Sequence, residues 1–123
     1  MAYNIEKAIA GYKLFCNLLF HGGNMPFYML HPKELENVRK EKNAIVVDVR
    51  DGMEYHKWRY RNAVWRPYCD GESWLNWFCK GQNYILYCDY GNISLLIARM
   101  LAQRGITAYT VIGGAKELKR YTL

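Results

Sequence analysis

Apolar positions recur at helical spacing through Ile5, Ala8, Ile9, Tyr12, Phe15, Cys16 and Leu19, which predicts an amphipathic helix from Asn4 to about Phe20. His21-Gly22-Gly23-Asn24-Met25-Pro26 then breaks the chain. Beyond it the pattern changes to short apolar runs. Phe27–Leu30, Ala44–Val49, Ala63–Trp65, Tyr84–Tyr87 and Thr107–Ile112 read as five strands. Between them lie stretches at helical period. Pro32 to about Arg39 opens with proline, where a missing N–H is harmless. Asp51-Gly52 reads as a turn, and Glu54–Arg61 as helical or irregular. Ser73–Cys79 reads as a helix capped by Glu72 or Ser73, with Gly81 past its end. Ser94–Arg104 is a helix with an apolar face of Ile93, Leu96, Ile97, Met100 and Leu101, stopped by Gly105. Gly113-Gly114 makes a tight turn before a last helix, Ala115–Tyr121. Strands that alternate with helices and stay apolar throughout imply an α/β fold: a mostly parallel five-stranded sheet covered on both faces.

Composition narrows the class. The chain has 123 residues, 51% of them hydrophobic, enough for one domain with a real core. A net charge of +6 suits small anions or acidic partners. Cys16, Cys69, Cys79 and Cys88 lack the paired spacings of a zinc site, and His21, His31 and His56 match no metal motif, so neither metal nor organic cofactor is expected. Residues 1–8 carry Glu6 and no basic stretch, and Leu14–Phe20 is too short to span a bilayer. A cytoplasmic protein with reduced cysteines and no membrane partner is the expectation.

The chemistry concentrates at Cys88. It ends the strand Tyr84–Tyr87, and Asp89-Tyr90-Gly91-Asn92-Ile93-Ser94 leads from it into a helix. Open α/β sheets place their sites at that strand edge. The helix start aims unpaired N–H groups and partial positive charge back toward the sulfur, and Gly91 permits the loop to curl. A thiolate is the reactive form of cysteine, and such a setting favours it. Cys16, Cys69 and Cys79 are expected as core residues.

Three landmarks resemble the rhodanese-like family of sulfurtransferases, over about Phe27 to Tyr121. Val47-Asp48-Val49-Arg50 with Glu54-Tyr55 is similar to the family's D-x-R with a downstream glutamate. Tyr87-Cys88-Asp89-Tyr90-Gly91-Asn92-Ile93-Ser94 is similar to its active loop, C-R-x-G-x-R-S. Val111-Ile112-Gly113-Gly114 is like its late strand and double glycine. The resemblance implies a three-layer sandwich over residues 27–123, with residues 1–26 as an added N-terminal helix and turn. It also implies that Cys88 takes a sulfane sulfur from a small anion such as thiosulfate, or from a protein persulfide, and passes it to a thiol acceptor. Asp89, Tyr90, Gly91, Asn92, Ile93 and Ser94 would form the substrate cradle. Asp48 and Arg50, two apart on a strand and so on one side of it, read as a structural ion pair supporting the loop.

Two positions depart from the family pattern. Asp89 and Ile93 stand where a basic residue and an arginine are usual. A carboxylate about 6 Å from the sulfur disfavours the thiolate by about 0.7 kcal/mol in water-like surroundings, or about 3 kcal/mol at an effective dielectric near 20. The helix end returns only about 0.3–1 kcal/mol. The outcome turns on whether Asp89 faces Cys88 or solvent, which the sequence leaves open. Weak activity with thiosulfate or a different donor follows. The alternative is a non-catalytic binding or regulatory module on the same scaffold. A phosphatase is disfavoured, because Ser94 stands where its loop-closing arginine is needed and no arginine follows before Arg99. Lys57-Trp58-Arg59-Tyr60-Arg61 through Arg66 interleaves cations with rings. It reads as a surface segment rather than a nucleic-acid site, and it could dock an acidic sulfur-carrier protein.

Overall fold

The computed structural model describes residues 26–122. The helix expected over Asn4–Phe20, most of the break after it, Cys16 and His21 lie outside the described residues. Five strands form: β1 (Phe27–Leu30), β2 (Ile45–Asp48), β3 (Val64–Trp65), β4 (Tyr84–Tyr87) and β5 (Ala108–Val111). Every pairing is parallel, in the order β1-β5-β4-β2-β3. β4 and β5 are buried along their whole length, as apolar strands covered on both faces must be.

Alternation along β4 divides the core. Ile85 and Tyr87 face one layer with Leu35, Val38, Val111, Ala115 and Leu118. Tyr84, Leu86 and Cys88 face the other, with Val47, Trp74, Phe78, Ile97, Ala98 and Leu101. The first layer is closed by α1 (Leu35–Glu41), which follows a 3-10 turn at Pro32–Glu34, and by α5 (Gly114–Tyr121). The second is closed by α3 (Glu72–Leu75) and α4 (Asn92–Gln103). His31 caps the 3-10 turn, its ring nitrogen accepting from Lys33 N at 3.1 Å.

Four local expectations need correction. Asp51-Gly52 is a helix start rather than a turn. Asp51 caps α2 (Gly52–Lys57) by accepting from Glu54 N at 3.0 Å, and a Cβ on Gly52 would lie 3.2 Å from the Trp65 ring. The helix expected over Ser73–Cys79 closes only one turn. Phe78 packs on Trp74 and Tyr84, and Cys79 N donates to the Tyr84 hydroxyl at 2.8 Å, so aromatic packing overrides helix continuation. The turn expected at Gly113-Gly114 falls one residue earlier, at Ile112-Gly113, and Gly114 is already the first residue of α5.

The fourth concerns α4, whose buried face is rotated from the expected one. It consists of Ser94, Ile97, Ala98, Leu101 and Ala102, while Ile93 and Leu96 stand exposed at 38% and 45%. Small Ala98 and Ala102 allow the helix to lie close on the sheet, and Ser94 finds a polar partner there. No helix among the described residues is long and apolar enough to cross a membrane.

Candidate active site

β4 delivers Cys88 to the C-terminal edge of the sheet, and the chain turns at once into α4. Gly91 caps α4 in the left-handed region, at φ +103°. There it can aim its own N–H inward, a geometry costly for a residue with a side chain. Gly91 N donates to Cys88 Sγ at 3.1 Å, and Ser94 N donates to it at 3.3 Å. These are donors of the kind that a helix start leaves without an intrahelical partner. The sulfur also lies 3.5 Å from Ser94 Oγ and 3.8 Å from Asn92 Oδ1, two acceptors for its proton. Cys88 is 4% exposed.

Two further contacts hold this loop. Ser94 Oγ shares a 2.6 Å hydrogen bond with Thr110 Oγ1, and both residues are buried. Thr110 was not among the residues expected at the site. Its signal in the sequence is a hydroxyl inside an otherwise apolar strand, at the end nearest the loop; a buried hydroxyl needs a partner. From the other side, Ala115 N donates to Cys88 O at 2.7 Å and Lys116 N to Asp89 O at 3.1 Å. Gly114 is essential to that approach: a Cβ there would stand 2.5 Å from Cys88 O.

Asp48 and Arg50 lie behind the loop as a buried ion pair, their side chains 0% and 1% exposed. Arg50 Nη2 meets Asp48 Oδ2 at 2.8 Å, and Nε meets Oδ1 at 3.0 Å. The same Nη2 donates to Trp58 O. Tyr87 OH donates to Asp48 Oδ2 at 2.7 Å and accepts from Tyr60 N at 3.0 Å. Burial and the Asp48 carboxylate push the Tyr87 hydroxyl far above its ordinary range, so it stays a donor. Burial works against the Arg50 charge, but the Asp48 hydrogen bonds outweigh it and hold the guanidinium above its ordinary value.

Asp89 takes a third course between the two left open. Its carboxylate turns to Arg50, with Oδ1 3.8 Å from Nη1, and it remains 46% exposed. Partial burial, with Arg50 opposing, raises its carboxyl above the ordinary value. Tyr90, 69% exposed, and Ile93 form the rim. Together with Val49, Arg50, Asp51, Tyr68, Asp89 and Asn92 they surround a depression of about 350 Å³ that has Cys88 among its walls. Two larger depressions, of about 690 and 390 Å³, contain no cysteine.

Cys69 and Cys79 are exposed, against the expectation of core positions. Trp74, Phe78 and Tyr84 fill that part of the core and leave both thiols in surface connections. Among the described residues no three His, Cys, Asp or Glu side chains group as metal ligands would.

Residues 31–121 match the model of the rhodanese-like domain. The chain belongs to the rhodanese-like domain family. Relatives include two proteins named tRNA sulfurtransferase. The one from Thermoplasma acidophilum is 38% identical over 68 residues, which is 55% of this chain and 14% of that protein. The one from Pyrobaculum aerophilum is 31% identical over 80 residues, 65% of this chain and 16% of that protein. The chain thus spans a small part of the length of these curated relatives. Among solved structures, a rhodanese-like domain protein from Staphylococcus aureus superposes with a TM-score of 0.61 at 27% identity, covering 74% of this chain and 90% of that one.

Proposed function

We propose that this rhodanese-like domain is a sulfurtransferase or sulfur relay working through Cys88. The observation that carries the reading is the convergence of Gly91 N and Ser94 N on Cys88 Sγ, at 3.1 and 3.3 Å. Backbone amides aimed at a sulfur stabilise it best when it is negative, because a charge-assisted hydrogen bond is about twice as strong as a neutral one. The same donors serve a thiolate and the terminal sulfur of a persulfide.

The cycle balances without an oxidant. The Cys88 thiolate attacks the outer sulfur of a donor, a new S–S bond forms, and the donor's S–S bond breaks with its electron pair on the departing group. An acceptor thiolate then attacks the outer sulfur of the persulfide, and Cys88 leaves as thiolate. Asn92 Oδ1 and Ser94 Oγ are placed to hold the thiol proton before attack. The donor is a small sulfur anion or a protein persulfide, and the acceptor a thiol, including that of a sulfur-carrier protein. Such a relay needs free thiols, which a reducing, cytoplasmic setting supplies. The tRNA in the relatives' names suggests nucleic acid as a final sulfur destination, delivered through protein outside this domain.

A second reading has one observation in its favour. The loop's charged side chain is a carboxylate, Asp89, and Arg50 is tied to Asp48. A module that binds partners without sulfur chemistry would tolerate both. Intact-mass analysis after treatment with sulfane donors separates the two. One sulfur atom is expected to be added to the wild-type chain and lost with Cys88→Ser. An unchanged mass with every donor, or a gain that persists in Cys88→Ser, leaves the binding module standing.

A further inference from the structure

The mouth of the Cys88 depression carries an unusual charge pattern for a site that would handle anions. Three of its walls are charged: Arg50, Asp51 and Asp89. The one cation among them is 1% exposed and is spent on Asp48 and on the Trp58 carbonyl. Asp51 is spent capping α2. Asp51 is nevertheless exposed, and Asp89 is 46% exposed with its Oδ1 3.8 Å from Arg50 Nη1, so two carboxylates at this mouth present charge to solvent, of which Asp89 adjoins Cys88 in the loop itself. Lys116 does not line the depression; its ammonium stands over the Tyr90 ring at the rim, 5.9 Å from the centroid. The remaining walls are Asn92, whose Oδ1 lies 3.8 Å from the sulfur, and the apolar or aromatic Val49, Tyr68, Tyr90 and Ile93.

We infer that Asp89 is a specificity-determining residue that turns this site away from doubly charged donors and toward sulfane donors of low negative charge with an apolar body. The inference rests on the sulfur-transfer reading above. Its physical content is Coulombic. A donor approaching Cys88 meets the carboxylates of Asp89 and Asp51, while the one guanidinium in the wall is buried and already hydrogen-bonded to Asp48. An apolar substituent gains from Val49, Tyr68 and Ile93 what a second negative charge loses to Asp89. Asp89 does not touch the reacting sulfur by hydrogen bond. The two amides do that, so Asp89 selects the donor and leaves the transfer itself to the cradle.

Thiosulfate and methanethiosulfonate form a matched pair of probes. Each carries a terminal sulfane sulfur on a sulfonyl sulfur, with charge −2 and −1. Attack by the Cys88 thiolate gives the same persulfide from both. The departing group takes the electron pair of the broken S–S bond, as sulfite in one case and methanesulfinate in the other. Persulfide formation on the whole chain, followed by intact mass, gives a rate for each donor. The wild-type chain is expected to prefer methanethiosulfonate, and Asp89→Asn to lower that preference by roughly three- to fiftyfold. That range is what one unit of donor charge about 7 Å from a carboxylate produces between water-like and partly screened surroundings. Asp89→Glu, which keeps the charge, is expected to keep the wild-type preference. This second variant separates loss of the charge from a disturbed loop. A preference unchanged by Asp89→Asn, or lowered equally by Asp89→Glu, with Cys88 loading normally, overturns the role of Asp89 and leaves sulfur transfer intact. Loading by neither donor nor by any other sulfane compound overturns the sulfur-transfer reading, and this one with it.

Discussion

Two helix starts meet on one loop, and they are built alike but used differently. α4 begins at Gly91 and α5 at Gly113, both in the left-handed region, and neither has a side-chain cap. Each therefore offers first-turn amides to whatever stands opposite. For α5 that is the backbone of the Cys88 loop: Ala115 N and Lys116 N bind the carbonyls of Cys88 and Asp89. For α4 it is the Cys88 sulfur itself. The same local device pins the loop from one side and prepares its thiol from the other. An amide on a carbonyl is satisfied permanently. An amide on a thiol is satisfied weakly, and strongly once the sulfur is charged. The difference separates a structural contact from a reactive one, although both arise from glycine followed by helix.

The comparison can be broken at either glycine. The largest effect on stability is expected on the α5 side. Gly114→Ala combines a left-handed φ of +61° with a Cβ 2.5 Å from Cys88 O. It is expected to cost about 3 kcal/mol, read from the urea midpoint, by strain and by displacing the loop backbone. A loss under about 1 kcal/mol would mean that the two helix starts are not held against each other. On the α4 side, Gly91→Ala meets a milder contact, 3.1 Å to Gly113 N, at φ +103°. The expected cost is about 1–2 kcal/mol. Its main effect falls on chemistry: turning one amide off the sulfur should slow persulfide formation about tenfold, a fraction of what outright loss of a donor costs. Equal loading rates in Gly91→Ala and the wild-type chain would sever the amides from the reaction.

The smallest effect sharpens the comparison by lying away from both helix starts. Glu36 accepts from Arg39 Nε and from the Tyr60 hydroxyl, each at 2.6 Å, and lies 3.5 Å from Arg61. The Arg39 hydrogen bond foremost lowers its carboxyl from 4.5 to about 2, against the cost of burial. A folded value below the unfolded one adds stability that is fully present above about pH 4.5 and is lost as pH falls toward 2. With solvent screening the term is about 1 kcal/mol. Glu36→Gln should flatten that part of the acid-unfolding curve, while the glycine variants leave it in place. An acid limb unchanged in Glu36→Gln would assign it to other carboxylates.

Much of this molecule is legible in one dimension. The runs at Tyr84–Tyr87 and Ala108–Val111 are short, continuous and β-rich, so their burial on both faces follows from pattern alone. Cys88 at a strand tip, a glycine in the next loop and a helix after it also follow from local spacing. What only the tertiary structure decided are matters of orientation between distant residues. Helical period shows that α4 has an inward face, but two overlapping faces fit it. The sheet chose the one with Ala98, Ala102 and Ser94, because small side chains permit close approach and Thr110, sixteen residues on, satisfies the serine. The direction of Asp89 depends on Arg50, and that of Arg50 on Asp48, so a charge beside the sulfur could not be placed until all three were. The exposure of Cys69 and Cys79 likewise depends on Trp74, Phe78 and Tyr84 filling that part of the core. Backbone pattern is a local property, whereas electrostatics and facing are properties of pairs, and these pairs exist only once the chain has folded.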